Sequence, residues 1–326
     1  MIRVGSRWLA TAMIFLTAVV GVTGCSAAPA AAQAWHHGEL AIATGNTTGV
    51  YYQVGGGYAD LITRHLPGYE AVAAPTNGSA DNLRRLSTGD VQVAISLADV
   101  AADAVRGTGD FAGQPIKLRA LARVYSNYTH LVVRADAHIH TLADLRGKRI
   151  STGTPNSGTE MMAKRLLATA GLDPDQDVYR KAWSLTETTN AMLKGQLDAL
   201  FWSGGLPTLG ISDLFRKAPG RFVFLPLDGA LPALERAYPG VYTAASIDRS
   251  AYGLPADVPT IAVANVLVVD PDMPDGLAYD LTRVLFEYHA ELAEVHPEAR
   301  NITRDKAPET DPVPLHPGAA RYYAEG

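Results

Sequence analysis

Eight neutral side chains, Thr44, Asn46, Thr48, Tyr52, Thr76, Asn77, Ser79 and Asn82, gather in two polar turns. Their hydroxyls and amides suit the orientation of a small polar ligand, without supplying a reacting group. A hydrolase needs a nucleophile beside a base. No G-x-S-x-G occurs, and Ser79, Ser157 and Ser203 read as turn or cap residues. A zinc site needs grouped ligands. His36-His37 falls in a tether and His138 with His140 in a loop, so no metal and no cofactor is expected. Gly49, Gly55, Gly56 and Gly57 do not form G-x-G-x-x-G, and no GK[ST] is present. The Gly55 to Gly57 triplet reads as a close-packing surface on a helix. Binding without turnover is expected, and not an enzyme.

The elements that position these groups have a repeated grammar. Leu40 to Ala43 is a short apolar run that breaks at Thr44 to Gly49. Tyr51, Val54, Tyr58, Leu61, Ile62 and Leu66 then recur at helical spacing, with Thr47 or Thr48 as the predicted cap. The unpaired N–H groups of such a helix start favour a carboxylate or phosphate by roughly 0.3–2 kcal/mol. One such turn is equally a plain connection. Tyr69 to Pro75 reads as a second strand ending in the turn Thr76 to Asn82. A helix over Leu83 to Leu86 stops before Gly89, and the strand Val91 to Ile95 leads into Ser96-Leu97-Ala98-Asp99.

From Arg149 the pattern returns. A strand over Arg149 to Thr152 enters the turn Gly153-Thr154-Pro155-Asn156-Ser157-Gly158-Thr159-Glu160. A helix follows from about Met161 to Ala170, and Leu197 to Trp202 resumes as a strand after Gly195. Gly45 and Gly89 are 44 residues apart, and Gly153 and Gly195 are 42 apart. Two such units imply two similar α/β lobes, with both turns on one cleft at the carboxyl ends of the strands. Ser157 and Glu160 form an S-x-x-E capping box that competes for N–H groups. Trp202 or Tyr52 would wall the ligand, unless Trp202 is plain core, and Arg123 and Arg134 near the crossing strands are candidate cations, read otherwise as solvated surface arginines.

Leu118 to Val124 and His130 to Arg134 read as two separate apolar runs. The second of these, with Thr260 to Val269, supplies the strands crossing between lobes. One helix is expected from about Asp275 to Glu294, then an irregular Pro-rich strap, Asp311 to Gly318.

The 326 residues, 47% of them apolar, suffice for one large or two medium domains with cores. Arg3 and Arg7 precede an apolar stretch, Trp8 to Val20, which marks a targeting segment. Without it, 26 basic side chains face 33 acidic ones, a balance that argues against nucleic acid. The only cysteine lies in Val22-Thr23-Gly24-Cys25, which resembles the lipobox of bacterial lipoproteins and implies acylation of Cys25. The rival reading is ordinary secretion, with cleavage at Ala32-Gln33-Ala34. The expected organisation is a signal peptide over 1–25, a tether over 26–38, one lobe from 39–130 plus 260–326, and a second over 131–259.

Several motifs in order resemble the TAXI family of extracytoplasmic solute receptors: Gly45-Asn46-Thr47-Thr48-Gly49-Val50-Tyr51-Tyr52, Asn77-Gly78-Ser79, His130-Leu131-Val132-Val133, Gly153 to Glu160, Asp257-Val258-Pro259-Thr260 and Leu315-His316-Pro317-Gly318-Ala319. The resemblance implies an α/β, two-lobed periplasmic-binding-protein fold, type II-like, with the ligand cleft between the lobes. It implies a monomer that carries a small carboxylate such as glutamate or 2-oxoglutarate to an integral-membrane TRAP permease. Carried over as binding positions are Thr44, Gly45, Asn46, Gly49 and Tyr52; Asn77, Gly78 and Ser79; Thr154, Asn156, Ser157, Gly158 and Thr159; and Trp202, Ser203 and Gly204. Leu97-Ala98 stands where many members carry a Gln-Ser pair. A sensing subunit for a membrane receptor, or an enzyme on the same fold, is the alternative.

Overall fold

Short strands and amphipathic helices alternate along residues 34–325, which are those described by the computed structural model. In chain order they are β1 (Glu39–Ala43), α1 (Val50–His65), β2 (Glu70–Ala74), α2 (Ser79–Ser87), β3 (Val93–Leu97), α3 (Ala98–Arg106), β4 (Arg119–Arg134) and β5 (Arg149–Ser151). Then follow α4 (Gly158–Thr169), β6 (Tyr179–Lys181), α5 (Leu185–Leu193), β7 (Ala199–Gly204), α6 (Leu209–Lys217), β8 (Phe222–Phe224) and α7 (Leu231–Ala237). The chain ends with β9 (Tyr242–Ile247), α8 (Arg249–Tyr252), β10 (Val258–Val269), α9 (Asp275–Glu287), α10 (His289–Val295) and α11 (Pro317–Ala324).

The strands form one mixed sheet of order β2-β1-β3-β10-β4-β7-β5-β6, with β8 beside β4 and β9 beside β10. The order reads alike from either end. β1 lies parallel to β2 and β3, and β5 lies parallel to β6 and β7. Each triplet then meets an antiparallel strand, β10 against β3 and β4 against β7. Parallel neighbours need a crossover, which the intervening helices supply. The repeat expected from Gly45 and Gly153 is therefore present in the pairing itself.

Leu40 and Ile42 of β1 pack against Val54, Tyr58, Leu61 and Ile62 of α1 and Leu281 and Leu285 of α9. A side chain of that size contributes about 1.5–3 kcal/mol when fully buried, so the stripe outweighs the about 1 kcal/mol that each helical glycine costs. Two of the three glycines have a packing reason. A Cβ on Gly55 would lie 2.5 Å from Thr44 Cγ2 and one on Gly57 2.9 Å from Leu292 Cδ1, whereas Gly56 has nothing within 4 Å. A second apolar cluster joins Leu83, Leu86 and Val100 to Met161, Met162 and Leu166, spanning both halves.

Several expectations change. Leu118 to Val124 and His130 to Arg134 are one strand, β4, because β10 and then β7 pair with it and carry the backbone through the polar Ser126-Asn127-Tyr128. α1 is capped by Gly49 with no side-chain bond, not by Thr47 or Thr48, and the Thr48 hydroxyl is buried without a partner. The expected helix from Asp275 breaks at Tyr288 into α9 and α10. β3 runs on through Leu97, and α4 begins at Gly158 rather than Met161. Residues 35–38 of the expected tether form a 3-10 turn, and the Trp35 N–H donates to the Tyr69 hydroxyl at 3.2 Å. The signal peptide, Cys25 and the rest of the tether lie outside the described residues.

Candidate functional site

Each parallel strand pair delivers a turn to the same place. β1 leads into Gly45, Asn46, Gly49, Val50 and Tyr51, β2 into Asn77, Gly78 and Ser79, and β3 ends on Leu97; all line one cavity. From the other half come Ser157, Gly158 and Thr159 at the start of α4 and Trp202, Ser203 and Gly204 at the end of β7, with Asn127 of β4 between. Ligands of open α/β sheets bind at such carboxyl ends. The space inside leaves about 40 Å³ for the centres of water-sized molecules. One water needs about 10–15 Å³ on that measure, so the room suits a small solute.

The lining is polar but uncharged: no Asp, Glu, Lys, Arg or His lines it among the described residues. The candidate cations are engaged elsewhere, Arg123 with Glu309 at 2.8 Å and Arg134 with Asp136 at 2.7 Å. Trp202 walls the cavity close against Gly49, where an added Cβ would stand 3.2 Å from Cζ2. Burial holds the Tyr51 phenol well above its ordinary pKa; a hydrogen bond with Ser79 acts the other way, and the Asp99 charge adds to the rise. Tyr51 therefore stays a neutral hydroxyl.

Twelve of the sixteen expected binding positions meet at the cavity, and four do not. Thr44 is fully buried beneath it, donating to the Ala74 carbonyl at 2.7 Å. Tyr52 sits one residue out of phase; α1 turns Tyr51 inward instead. Thr154 and Asn156 seal the edge. The Thr154 hydroxyl donates to the Asn77 carbonyl at 2.7 Å, and the Asn156 carbonyl accepts the Ala80 and Asp81 N–H groups, both at 3.1 Å. Asn156 holds a left-handed φ of 62°, and its Oδ1 accepts from Arg84 at 2.7 Å. The capping box is present but offset: Ser157 Oγ accepts from the Glu160 N–H at 3.0 Å, while Glu160 Oε2 accepts from Asn156 N–H at 2.8 Å. Val50, Tyr51 and Asn127 escaped the sequence reading as cavity residues, while Leu97, which the resemblance put in place of a polar side chain near the cleft, does line it. For Asn127 a signal existed, a lone amide where β4 should be apolar.

Residues outside the cavity hold the Trp202 wall. Its Nε1 donates to Thr208 Oγ1 at 3.0 Å, and the Thr208 N–H donates to the Tyr252 hydroxyl at 2.9 Å. His130, fully buried, links to that hydroxyl at 2.8 Å through Nε2 and to the Tyr128 carbonyl at 2.9 Å through Nδ1. The carbonyl only accepts, so Nδ1 carries the proton and Nε2 accepts from Tyr252. Leu206 N–H donates to Glu298 Oε1 at 2.6 Å. Burial raises the Glu298 pKa, opposed by its bonds from Leu206 and Asn301.

His130 makes stability pH-dependent. Burial pushes it from 6.5 down to about 4, against the opposing bonds to the Tyr128 and Trp202 backbone. As pH falls from 6.5 toward about 4, the unfolded chain takes the proton first and stability falls. That window is worth about 3 kcal/mol at 1.36 kcal/mol per pH unit. A denaturant titration at several pH values should therefore show a shallower acid loss for His130→Gln than for wild type; equal slopes would mean that His130 is solvated.

Among solved structures the chain is similar to a binding protein component of an ABC phosphonate transporter from Pseudomonas aeruginosa, at 15% identity over 81% of this chain and 80% of that one, with a TM-score of 0.55. A structure from Bordetella bronchiseptica RB50 matches at 18% identity over 89% and 82%, with a TM-score of 0.50. The alkanesulfonate-binding protein SsuA from Xanthomonas axonopodis pv. citri, bound to MOPS, matches at 16% over 88% and 83%, with a TM-score of 0.49. The likeness to the phosphonate-transporter component shows the fold: α/β, in the two-lobed periplasmic-binding-protein architecture. A family model matches residues 42–326, nearly everything from β1 onward, and the chain belongs to the NMT1-like family.

Proposed function

We propose that this protein is an extracytoplasmic solute receptor that captures a small carboxylate between two lobes, 39–130 plus 260–326 and 131–259, and delivers it to an integral-membrane TRAP-type permease. The observation that carries the reading is the small uncharged cavity at which the starts of α1, α2 and α4 and the end of β7 converge. Hydroxyls, amides and helix-start N–H groups can hold an anion without a cation. The motifs shared with TAXI receptors support the permease as partner, and the match to binding-protein folds supports carriage over catalysis. Hinge motion along β4 and β10 would open the cleft.

A thermal-shift screen against amino acids, 2-oxo acids, dicarboxylates and neutral solutes tests it. A ligand at 100 times its Kd stabilises the native state by about 2.7 kcal/mol. A shift confined to carboxylates is expected; a shift with neutral solutes alone would overturn the carboxylate assignment. For the solute found, Trp202→Ala should weaken binding at least tenfold, whereas Tyr52→Ala, outside the cavity, should leave it within about twofold. The reverse ranking would move the site.

Localisation to the outer face of the membrane through a lipid on Cys25 completes the proposal. Cys25→Ser should move the protein from the membrane fraction to the soluble one, and unchanged fractionation would refute the anchor.

A further inference from the structure

The crossing strands contain a residue that shapes the cavity without touching it. β10 pairs with β4 regularly as far as Ala264 opposite Ser126, and again from Val266 opposite Arg123; Asn265 falls in the shift between them. Its other edge keeps register with β3, opposite Leu97. The extra residue lies on β4, where Val124 and Tyr125 together stand opposite Asn265, and a bulge of this kind bends its strand and re-aims side chains around it.

Asn265 is fully buried, and its amide oxygen and both amide N–H groups are engaged. Oδ1 accepts from the Tyr51 hydroxyl at 2.5 Å. Nδ2 donates to the Tyr125 carbonyl at 2.8 Å and to Asn127 Oδ1 at 2.9 Å. Asn127 Nδ2 then donates to the Ser203 carbonyl at 3.2 Å. Tyr51, Asn127 and Ser203 line the cavity and Asn265 does not.

The direction of this chain is fixed. Turning the Asn265 amide over would set its oxygen against the Tyr125 carbonyl oxygen and remove the acceptor from Tyr51. Asn127 cannot turn over either, because its oxygen would then face the Ser203 carbonyl. One residue at the bulge thus decides which way the phenol and the second amide present their remaining hydrogen-bonding capacity.

We propose that Asn265 is the positioning residue of the cavity floor, fixing the Tyr51 hydroxyl and the Asn127 amide in the one orientation that a solute meets. For the solute, this rests on the receptor reading above. A plain buried asparagine serving only the Tyr125 carbonyl is the competing account.

The test has a ligand-free arm and a solute arm, both on the full chain. In the first, proton exchange at the Asn127 side-chain amide and the Tyr51 hydroxyl is followed by NMR in wild type, Asn265→Ala and the volume-matched Asn265→Leu, which serves if the alanine variant fails to fold. Exchange at both groups should speed at least tenfold while the backbone amides of β1 and β5 keep their wild-type rates. Unchanged protection at Asn127 and Tyr51 would overturn the proposal.

In the second arm, glutamate, 2-oxoglutarate and acetate are the probes, read as thermal shifts in wild type, Asn265→Leu, Tyr51→Phe and the double variant. The single variants should each weaken binding at least tenfold and the double variant no more than the stronger single. Binding by Asn265→Leu within twofold of wild type, or full additivity, would overturn the proposal. A wild-type chain that answers no probe counts against the receptor reading instead, and the exchange arm still decides the role of Asn265.

Discussion

Replacing Arg165 with methionine lowers the free energy of unfolding by roughly 3–5 kcal/mol, the usual cost of removing one partner from a buried ion cluster. Arg165 leaves α4 and enters a pocket between the halves, where its side chain is 10% exposed and Asp99 and Asp103 of α3 are 0% and 5% exposed. Its guanidinium binds Asp99, reaches Asp103 Oδ2 at 2.5 Å, and donates to the Tyr242 hydroxyl at 2.7 Å. The same hydroxyl donates to Asp99 at 2.6 Å, and the Tyr238 ring covers the guanidinium at 4.2 Å. Methionine keeps much of the stem but leaves two carboxylates buried without a cation. Urea titration reads the loss, and adding Asp99→Asn and Asp103→Asn to the methionine variant should recover part of it. A loss below about 1 kcal/mol would place the cluster among solvated surface pairs, whose removal costs that little.

Asn82→Ala should cost roughly 2–4 kcal/mol, because it orphans two buried acceptors at about 1–3 kcal/mol each. Asn82, fully buried in α2, donates through Nδ2 to the Thr44 and Ile95 carbonyls, both at 2.7 Å, and accepts from Thr76 Oγ1 at 2.5 Å. It ties the ends of β1 and β3 to the turn before α2, which are three of the walls of the cavity. The variant should therefore lose stability in urea and bind any solute more weakly. Unfolding within about 0.5 kcal/mol of wild type, the ordinary range for an exposed substitution, would show that water replaces the amide.

What the sequence disclosed follows from what is local. Gly-punctuated turns after short apolar runs are set by neighbours along the chain, so the turns at Gly45, Gly78 and Gly158 were readable, as was their repetition. Helix phase was readable as well, since Tyr51 falls on the apolar stripe of α1 and Tyr52 lies about 100° away; that Tyr51 reaches the cavity depends on its packing against Tyr125 and its bond to Asn265, which local pattern does not carry. The crossing strands were half-legible. Asn127 and Asn265 interrupt apolar runs, yet their purpose depends on one another across 138 residues, which local pattern does not carry. Nothing local marks Arg165 out, since its partners Asp99 and Tyr242 are 66 and 77 residues away.

The Asn156 carbonyl, seated on the Ala80 and Asp81 N–H groups, changes what an anion of the proposed kind could gain at α2. The second half supplies its own oxygen to the second and third N–H groups of α2, so those donors are already engaged. Under the proposed carboxylate reading, a solute would draw net benefit there only by displacing Asn156, exchanging one acceptor for another. Its selective advantage must come from α1, α4 and the hydroxyls of the floor. Closure and occupancy are then separate equilibria: any part of the population that closes empty raises the apparent Kd, which is the intrinsic Kd divided by the fraction left open to receive solute.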